Sequence, residues 1–207
     1  MKPIILFDLD GTLIDSTEAI LESFRHSLGV HGRKTDISDM MITSQIGHPL
    51  ETMFAGVGIE SSLIDAHVNT YKLYYREIAR QKTLLLPNAA EAVREAASFA
   101  RLGIVTTKTG LYSQELMEYF DLMEYFEVLI GREHVENPKP HPEPIWRALE
   151  KMGDEKATAW MIGDTRLDIE AAKRAGIEWV AVTSGYDNKE QLLTLTDIIK
   201  YVKAAIS

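Results

Sequence analysis

The sequence contains no cysteine in its 207 residues. This absence excludes disulfide bonds, thiolate zinc ligands and a cysteine nucleophile together. Long hydrophobic runs are also missing: no stretch approaches the length of a membrane span, and the apolar segment 3–7 is too short for the hydrophobic region of a signal peptide. We therefore expect a cytoplasmic protein that does not bind a membrane.

Positive charge is scarce as well. The chain has 22 lysine and arginine residues against 31 acidic ones, which gives a net charge of −9. A field of this sign repels polyanions, so nucleic acid is not an expected partner. The hydrophobic content of 45% and the length are enough for one domain with a real core and a modest insertion.

Five short apolar runs rich in Ile, Val and Leu predict the strands of a sheet: residues 2–7, 102–106, 127–130, 157–162 and 179–183. Helix-like segments separate them, and this alternation is typical of a parallel sheet with crossover helices. Apolar residues at the helical spacing mark two of these helices: Val93, Ala96, Ala97 and Ala100 in one, and Ile145, Leu149 and Met152 in the other.

Residues 16–82 contain no strand-like run. Within them, the segment 61–81 has apolar residues at steps of four and three: Ile64, Val68, Tyr71, Tyr75 and Ile78. The sequence therefore predicts an α/β core formed by residues 1–15 and 83–207, and a helical insertion formed by residues 16–82.

Polar residues follow the predicted strands at the edge where parallel sheets bind ligands. They are Asp8 and Asp10 after the first strand, Thr106, Thr107 and Lys108 after the second, Lys139 after the third, and Asp164 and Asp168 after the fourth. Two carboxylates as close as Asp8 and Asp10 need a cation or a shared proton between them unless both face water. Carboxylates with a backbone carbonyl suit Mg²⁺, whereas hydroxyl, amide and lysine groups suit phosphate oxygens.

Four segments resemble, in order, the motifs of the haloacid dehalogenase superfamily of phosphotransferases. They are DLDGTLID, the threonine that ends LGIVT, the lysine of PKPHPEP, and IGDTRLDIEAA. The position of the insertion is similar to that of the helical C1-type cap, and the nearest resemblance is to the phosphoglycolate phosphatases. The resemblance implies a Rossmann-like, three-layer core with a small inserted cap domain.

The resemblance also implies roles for three aspartates. Asp8 is the expected nucleophile, which forms an aspartyl-phosphate. Asp10 is the expected general acid and base. Asp8, the backbone carbonyl of Asp10, and Asp164 are the expected ligands of Mg²⁺. Without the other motifs, DLDGT would be interpreted as a turn, and N-capping of a helix remains an alternative for the acids of IGDTRLD.

Phosphate contacts are implied for the Thr106 hydroxyl, the Thr107 amide and the Lys139 ammonium, and Asp168 is expected to orient Lys139 or a metal-bound water. Thr107 stands where many relatives carry asparagine, which leaves the backbone contact possible. Asn88 stands where relatives commonly carry glycine, and this departure concerns a turn.

Two residues of the insertion, Thr43 and His48, are weaker candidates for substrate contact, with a simple turn as the alternative interpretation.

The leading functional hypothesis is a magnesium-dependent hydrolase of small phosphate monoesters similar to phosphoglycolate, acting on a small phosphorylated metabolite. A phosphomutase of the β-phosphoglucomutase type is the first alternative, since it would use the same core. A pyrophosphatase or nucleotidase of the superfamily is another. A non-catalytic protein that binds phosphate or metal is the third, because a fold does not dictate an activity. The sequence leaves open whether the protein is a monomer or a homodimer.

Overall fold

The computed structural model describes residues 2–32, 37–153, 158–182 and 195–206. It divides the chain into two compact units. We call Met1–Ile14 with Leu85–Ser207 the core unit, and Asp15–Leu84 the helical unit. The boundaries predicted from the sequence were 15/16 and 82/83.

The core unit contains a five-stranded parallel sheet. Its strands are β1 (Ile4–Phe7), β4 (Arg101–Val105), β5 (Phe126–Ile130), β6 (Ala159–Gly163) and β7 (Glu178–Ala181). They lie in the order β5-β4-β1-β6-β7. A second sheet pairs the two-residue strands β2 (Ile14–Asp15) and β3 (Leu84–Leu85). The predicted Rossmann-like α/β class is confirmed. Ala157 and Thr183, which bounded two of the predicted strands, lie outside the described residues.

The helices of the core unit cover the sheet on both faces. They are α5 (Ala89–Phe99), α6 (Gly110–Tyr119), α7 (Glu143–Met152), α8 (Arg166–Ala175) and α9 (Leu195–Ala205), with 3-10 turns at Met123–Tyr125 and Arg132–His134. Helices α7 and α8 pack on the face that carries Ile4 and Leu6. Because side chains alternate along a strand, Ile5 and Phe7 lie on the opposite face, and both are fully buried there.

Two details at the ends of α5 refine the predictions for this helix. Ala100, expected on its apolar face, follows the last residue of the helix in an extended conformation and is nevertheless buried. Asn88, which precedes the helix, has φ 63°. This left-handed conformation suits glycine and is tolerated by asparagine, so the substitution noted in the sequence keeps the turn possible.

The helical unit contains four α-helices in its described residues, and no strand interrupts them. They are α1 (Thr17–Val30), α2 (Asp39–Thr43), α3 (Leu50–Gly56) and α4 (Ile64–Lys82), with a 3-10 turn at Ser61–Leu63. On α4, Val68, Tyr71 and Tyr75 are buried, as their spacing predicted. Within the described part of the chain, no helix combines the length and the hydropathy that crossing a membrane requires.

An aromatic cluster forms the centre of the helical unit. Phe24 of α1 is fully buried, stacks on Phe54 of α3 with ring centroids 4.2 Å apart, and meets the edge of Tyr71 of α4 at 5.3 Å. Beside it, the Ser27 hydroxyl donates to the backbone carbonyl of His67 at 2.9 Å and lies 3.0 Å from Nδ1 of the same residue. Phe24 therefore joins α1 to both α3 and α4.

Phe24→Ala tests this role. Removing a fully buried ring that touches two others leaves a cavity, so we expect the free energy of unfolding to fall by about 3–5 kcal/mol. Denaturant unfolding followed by circular dichroism measures the change. The matched control is Leu73→Ala on α4, where the side chain is 72% exposed and the expected change is within about 0.5 kcal/mol. A loss for Phe24→Ala no larger than that of the control would contradict the assignment.

Candidate active site

Asp8 lies at the carboxyl end of β1, and its backbone continues the parallel ladder by donating to the carbonyl of Ile162 at 2.8 Å. The four residues of β1 are fully buried and Asp8 is 4% exposed, so the strand delivers a carboxylate into the interior. The chain then turns sharply, with the Leu9 carbonyl accepting three consecutive N–H groups from residues 12–14.

Gly11 allows this turn to pass close to the acidic group. Its φ is 80°, and a Cβ at this position would lie 2.5 Å from Oδ2 of Asp164. Both the backbone conformation and the close approach therefore require glycine. The next residue, Thr12, donates its hydroxyl to Oδ1 of Asp164 at 3.2 Å. The glycine and threonine of DLDGT thus position a carboxylate that lies 152 residues further along the chain.

Lys139 links the strand ends through its ammonium group. Nζ donates to Asp8 Oδ1 at 2.8 Å, to the Val105 carbonyl at 2.9 Å and to Asp168 Oδ1 at 2.5 Å. An ammonium has three protons, and these three acceptors match them. The lysine side chain is 2% exposed, so the ion pairs form in the interior of the core unit.

Asp168, in the first turn of α8, has two sets of contacts. While Oδ1 accepts from Lys139, Oδ2 accepts from the backbone N–H of Thr165 at 3.0 Å and from its hydroxyl at 2.8 Å. The two interpretations considered for this residue, orientation of Lys139 and capping of the helix, therefore occur together. Gly163 makes room for the carboxyl group, since a Cβ there would lie 2.3 Å from Cγ of Asp168.

The described residues contain one group of three side chains able to hold a metal ion: Asp8, Asp164 and Asp168, whose ligand oxygens lie within 4.8 Å of one another. All three are buried. Carboxylate oxygens at this spacing are ligands that Mg²⁺ accepts. The sequence-based ligand set contained Asp8 and Asp164 with the backbone carbonyl of Asp10, whereas Asp168 was expected to orient other groups.

Burial controls the electrostatics of the site. It raises the pKa of Asp8 well above the usual range; Lys139 opposes this shift, and the charges of Asp168 and Asp164 add to it. Burial alone would lower the pKa of Lys139, but the carboxylates of Asp168 and Asp8 outweigh it and raise that pKa. Three buried acids with one buried ammonium leave an excess of negative charge, which a divalent cation would relieve. The acidic group therefore fits Mg²⁺.

Thr106 and Thr107 follow β4 at the same edge of the sheet. The Thr106 N–H donates to the Ile130 carbonyl at 2.9 Å, and its hydroxyl accepts the N–H of Lys108 at 3.1 Å. Thr106 is buried and Thr107 is half-buried. The structure thus brings Thr106 and Lys139 to one edge, since Lys139 bonds to the carbonyl of the residue that precedes Thr106.

One contact was not predicted: Nζ of Lys108 lies 3.1 Å from Oδ2 of Asp10, and both side chains are nearly buried. The sequence did place Lys108 near the site, because this residue follows the two threonines at a predicted strand end. A lysine in a polar loop is nevertheless most often a solvated charge, and its partner lies almost a hundred residues earlier in the chain.

Thr43 and His48, the weaker candidates, lie in the helical unit. Thr43 is the last residue of α2, and its hydroxyl donates to the Met40 carbonyl at 3.3 Å. His48 donates its N–H to the Gln45 carbonyl at 3.1 Å, in the turn that precedes α3. Each of these contacts is local in sequence, as expected of turn residues.

A doubly wound parallel sheet, with buried carboxylates and a lysine at its carboxyl edge, defines a Rossmann-like α/β protein that carries an acidic ligand site. The chain belongs to the haloacid dehalogenase-like hydrolase family, whose model matches residues 5–182. The resemblance inferred from the four motifs and the expectation of an enzyme of this type are both confirmed.

Named relatives cover most of the chain. "Probable phosphatase IndB" of Dickeya dadantii is 33% identical over 200 residues, which are 93% of this chain and 86% of that protein. A phosphoglycolate phosphatase of Shigella boydii is 39% identical over 221 aligned positions, covering 94% of this chain and 87% of that protein. A crystal structure of a haloacid dehalogenase-like hydrolase from Bacteroides fragilis, 27% identical, superimposes with a TM-score of 0.86 over 96% of this chain and 100% of that one.

The raised pKa of Asp8 makes stability depend on pH. Because the folded pKa lies above the unfolded value of about 3.9, folding favours the protonated acid, and the stability this contributes is complete below the unfolded pKa and lost as pH rises through the folded pKa. Asp8→Asn imitates the neutral acid. With a chelator present, we therefore expect this variant to be more stable than wild type at pH 8 and the difference to vanish as pH falls toward 4.

Denaturant unfolding at several pH values measures the difference. The control is Asp121→Asn, at an exposed position, for which the free energy of unfolding is expected to change by less than about 0.5 kcal/mol at any pH. A wild-type protein more stable than Asp8→Asn at pH 8 would show that the ion pair with Lys139 outweighs the cost of burying the Asp8 charge.

Proposed function

We propose that the protein is a magnesium-dependent phosphatase that hydrolyses small phosphate monoesters through an aspartyl-phosphate. The observation that carries the proposal is the buried Asp8 carboxylate at the end of β1, held 2.8 Å from the Lys139 ammonium within a group of acids able to hold a cation. The relatives named phosphoglycolate phosphatase support phosphoglycolate, or an ester of similar size, as the substrate.

In the first step, a carboxylate oxygen of Asp8 attacks phosphorus. A bond forms between this oxygen and phosphorus, and the bond from phosphorus to the ester oxygen breaks. The electron pair of the broken bond goes to the ester oxygen, which takes a proton from Asp10 and leaves as the alcohol. Lys139, in contact with Asp8 in the resting site, lies where the attacking oxygen and a phosphoryl oxygen would meet, and it screens their like charges.

Phosphoryl oxygens would bind the Thr106 hydroxyl, the Thr107 amide and the Lys139 ammonium. Thr106 is fixed at the end of β4 by its bond to the Ile130 carbonyl, so its hydroxyl is presented by a rigid strand end. Asp168 also accepts from Lys139 and is itself held by Thr165. Because these groups are already in position before the reaction, they can stabilise the charge that develops in the transition state without moving.

In the second step, water attacks the phosphorus of the aspartyl-phosphate. Asp10, now ionised, accepts a proton from the water, and the bond between phosphorus and the Asp8 oxygen breaks to release inorganic phosphate. Asp8 and Asp10 then hold the same protons as before the reaction. The step needs no group other than water and the residues of the first step.

Asp8, Asp164 and the backbone carbonyl of Asp10 would hold Mg²⁺, with Asp168 close enough to orient its water ligands. Bound there, the ion would neutralise charge on both the nucleophile and the phosphoryl group. The Thr12 hydroxyl, which donates to Asp164, would keep that carboxylate directed toward the ion.

A small phosphorylated metabolite in the cytoplasm is the proposed partner. The net charge of −9 disfavours nucleic acid as a substrate. Thr43 and His48 of the helical unit are proposed to contact the alcohol half of the substrate, which is the part that differs between esters.

Phosphate release from a panel of esters tests the proposal. The panel contains phosphoglycolate, sugar phosphates, nucleoside monophosphates and pyrophosphate, each with Mg²⁺ and with a chelator. We expect turnover that requires Mg²⁺ and that falls by at least about 10³-fold in Asp8→Asn, because the nucleophile is lost. Asp121→Asn serves as the control. Turnover that survives Asp8→Asn would contradict the mechanism, and conversion of β-glucose 1-phosphate to glucose 6-phosphate, followed by NMR, would favour the mutase.

Asp10→Asn tests the acid and base separately from the nucleophile. Without proton transfer, the turnover of alkyl phosphates is expected to fall by about 10²–10⁴-fold. The first step with p-nitrophenyl phosphate should fall less, because this leaving group needs no proton. Rapid quench and mass spectrometry should then detect phosphate bound to Asp8. Equal losses for both kinds of ester in the first step would exclude Asp10 as the acid.

A further inference from the structure

The ion pair between Lys108 and Asp10 lies within the core unit and has no part in the mechanism above. Nζ and Oδ2 are 3.1 Å apart, and the exposed fractions of the two side chains are 9% and 12%. An exposed pair of charges exchanges its partners with water, whereas a sheltered pair has a defined geometry. The position of the Lys108 ammonium is therefore a fixed feature of the site.

The backbone of Lys108 is held on both sides. Its N–H donates to Oγ1 of Thr106 at 3.1 Å, and its carbonyl accepts the N–H of Arg132 at 3.0 Å. Thr106 is also the proposed phosphate ligand. Lys108 is thus connected by one hydrogen bond to the group that would locate phosphorus, and lies 3.1 Å from the carboxyl group that, once protonated, would donate to the leaving oxygen.

These contacts locate the ammonium relative to a substrate. A general acid must come within hydrogen-bond reach of the oxygen it protonates, and Asp10 Oδ2 lies 3.1 Å from Lys108 Nζ, so Nζ lies within about 6 Å of the leaving oxygen. A carboxylate on the carbon that bears this oxygen falls within that range. Lys108 is therefore positioned to contact the alcohol half of the substrate.

The charge of the site makes such a cation necessary for anionic alcohols. Asp8, Asp164 and Asp168 are buried at the same sheet edge, and a second negative charge on the substrate would be repelled by them. Lys139 donates to two of these carboxylates and to a backbone carbonyl, which places it on the side of the nucleophile. Lys108 stands on the side of Asp10, where the leaving group departs.

We propose that Lys108 determines specificity by binding a carboxylate carried by the leaving alcohol, so that the preferred substrates are phosphate esters of short hydroxy acids. The inference rests on the proposed phosphatase function. It adds to that function a named residue that distinguishes phosphoglycolate from neutral esters of the same size.

The test compares two substrates that differ in one group: phosphoglycolate, and 2-hydroxyethyl phosphate, in which a hydroxymethyl group replaces the carboxylate. Both are measured with wild type, Lys108→Met, Lys108→Arg and the control Lys151→Met, an exposed lysine on α7. Wild type should prefer phosphoglycolate. Lys108→Met should lower kcat/KM for phosphoglycolate about 10- to 100-fold more than for the neutral ester, chiefly through KM, since a hydrogen bond between charged groups is lost.

Lys108→Arg should retain the preference, and Lys151→Met should leave both substrates as in wild type. Equal losses on the two substrates in Lys108→Met would assign Lys108 to the orientation of Asp10 alone and overturn the inference, as would a wild-type preference for the neutral ester. If circular dichroism shows that Lys108→Met does not fold, Lys108→Gln replaces it with the same expected ratio. Failure of the phosphatase itself is seen earlier, as wild-type turnover of neither ester, and the inference would fall with it.

Discussion

The buried ammonium of Lys139 is the interaction on which the rest of the site depends. It joins the end of β1 through Asp8, the end of β4 through the Val105 carbonyl, and the start of α8 through Asp168. Removing this ammonium would leave two buried carboxylates without their positive partner, which costs several kcal/mol. The three acceptors therefore constrain one another: the strand ends that carry the chemistry are held in register by the same charge that would bind the phosphoryl group. The same contact that stabilises the resting site would have to be rearranged when phosphate enters.

Two glycines complete this arrangement, because the absence of a side chain leaves room for the neighbouring carboxylates. Gly11 passes beside Asp164 with φ 80°, and Gly163 leaves space for Asp168. Burial is the main reason that the pKa of Asp8 is raised, and the charges of Asp168 and Asp164, the two acids beside these glycines, raise it further. The acids are thus packed closely while their negative charge exceeds that of Lys139, and a bound cation would balance this excess. The fold can hold these buried charges because β1 and β6, the strands that end beside them, are fully buried.

The fold was largely predictable from local patterns. Five apolar runs separated by helical periodicity were enough to predict a parallel sheet, because the inner strands β1, β4 and β6 are buried on both faces and their sequences are therefore continuous apolar segments. The two-residue strands β2 and β3 were not predictable, since two residues are too few to show an alternation of apolar and polar side chains. Ala100 shows a further limit: burial continued past the end of α5, so apolar spacing alone did not locate the last helical residue. Within the site, the strand-end rule brought Asp8, Lys139 and Asp168 to one edge, but it could not predict which acid pairs with which lysine.

The two lysines of the site, Lys108 and Lys139, pair with different acids, and this difference gives them different chemical roles. Lys139 donates to Asp8 and Asp168, and Lys108 lies against Asp10. If the first lysine serves the nucleophile and the second serves the acid, the phosphoryl and alcohol halves of a substrate each meet one positive charge. Such an arrangement separates two tasks that a single lysine could not perform, since three protons suffice for only three acceptors. Catalysis of phosphoryl transfer would then depend on Lys139, and the choice of alcohol on Lys108, so that substrate preference could change without disturbing the buried pairs that hold the strand ends together.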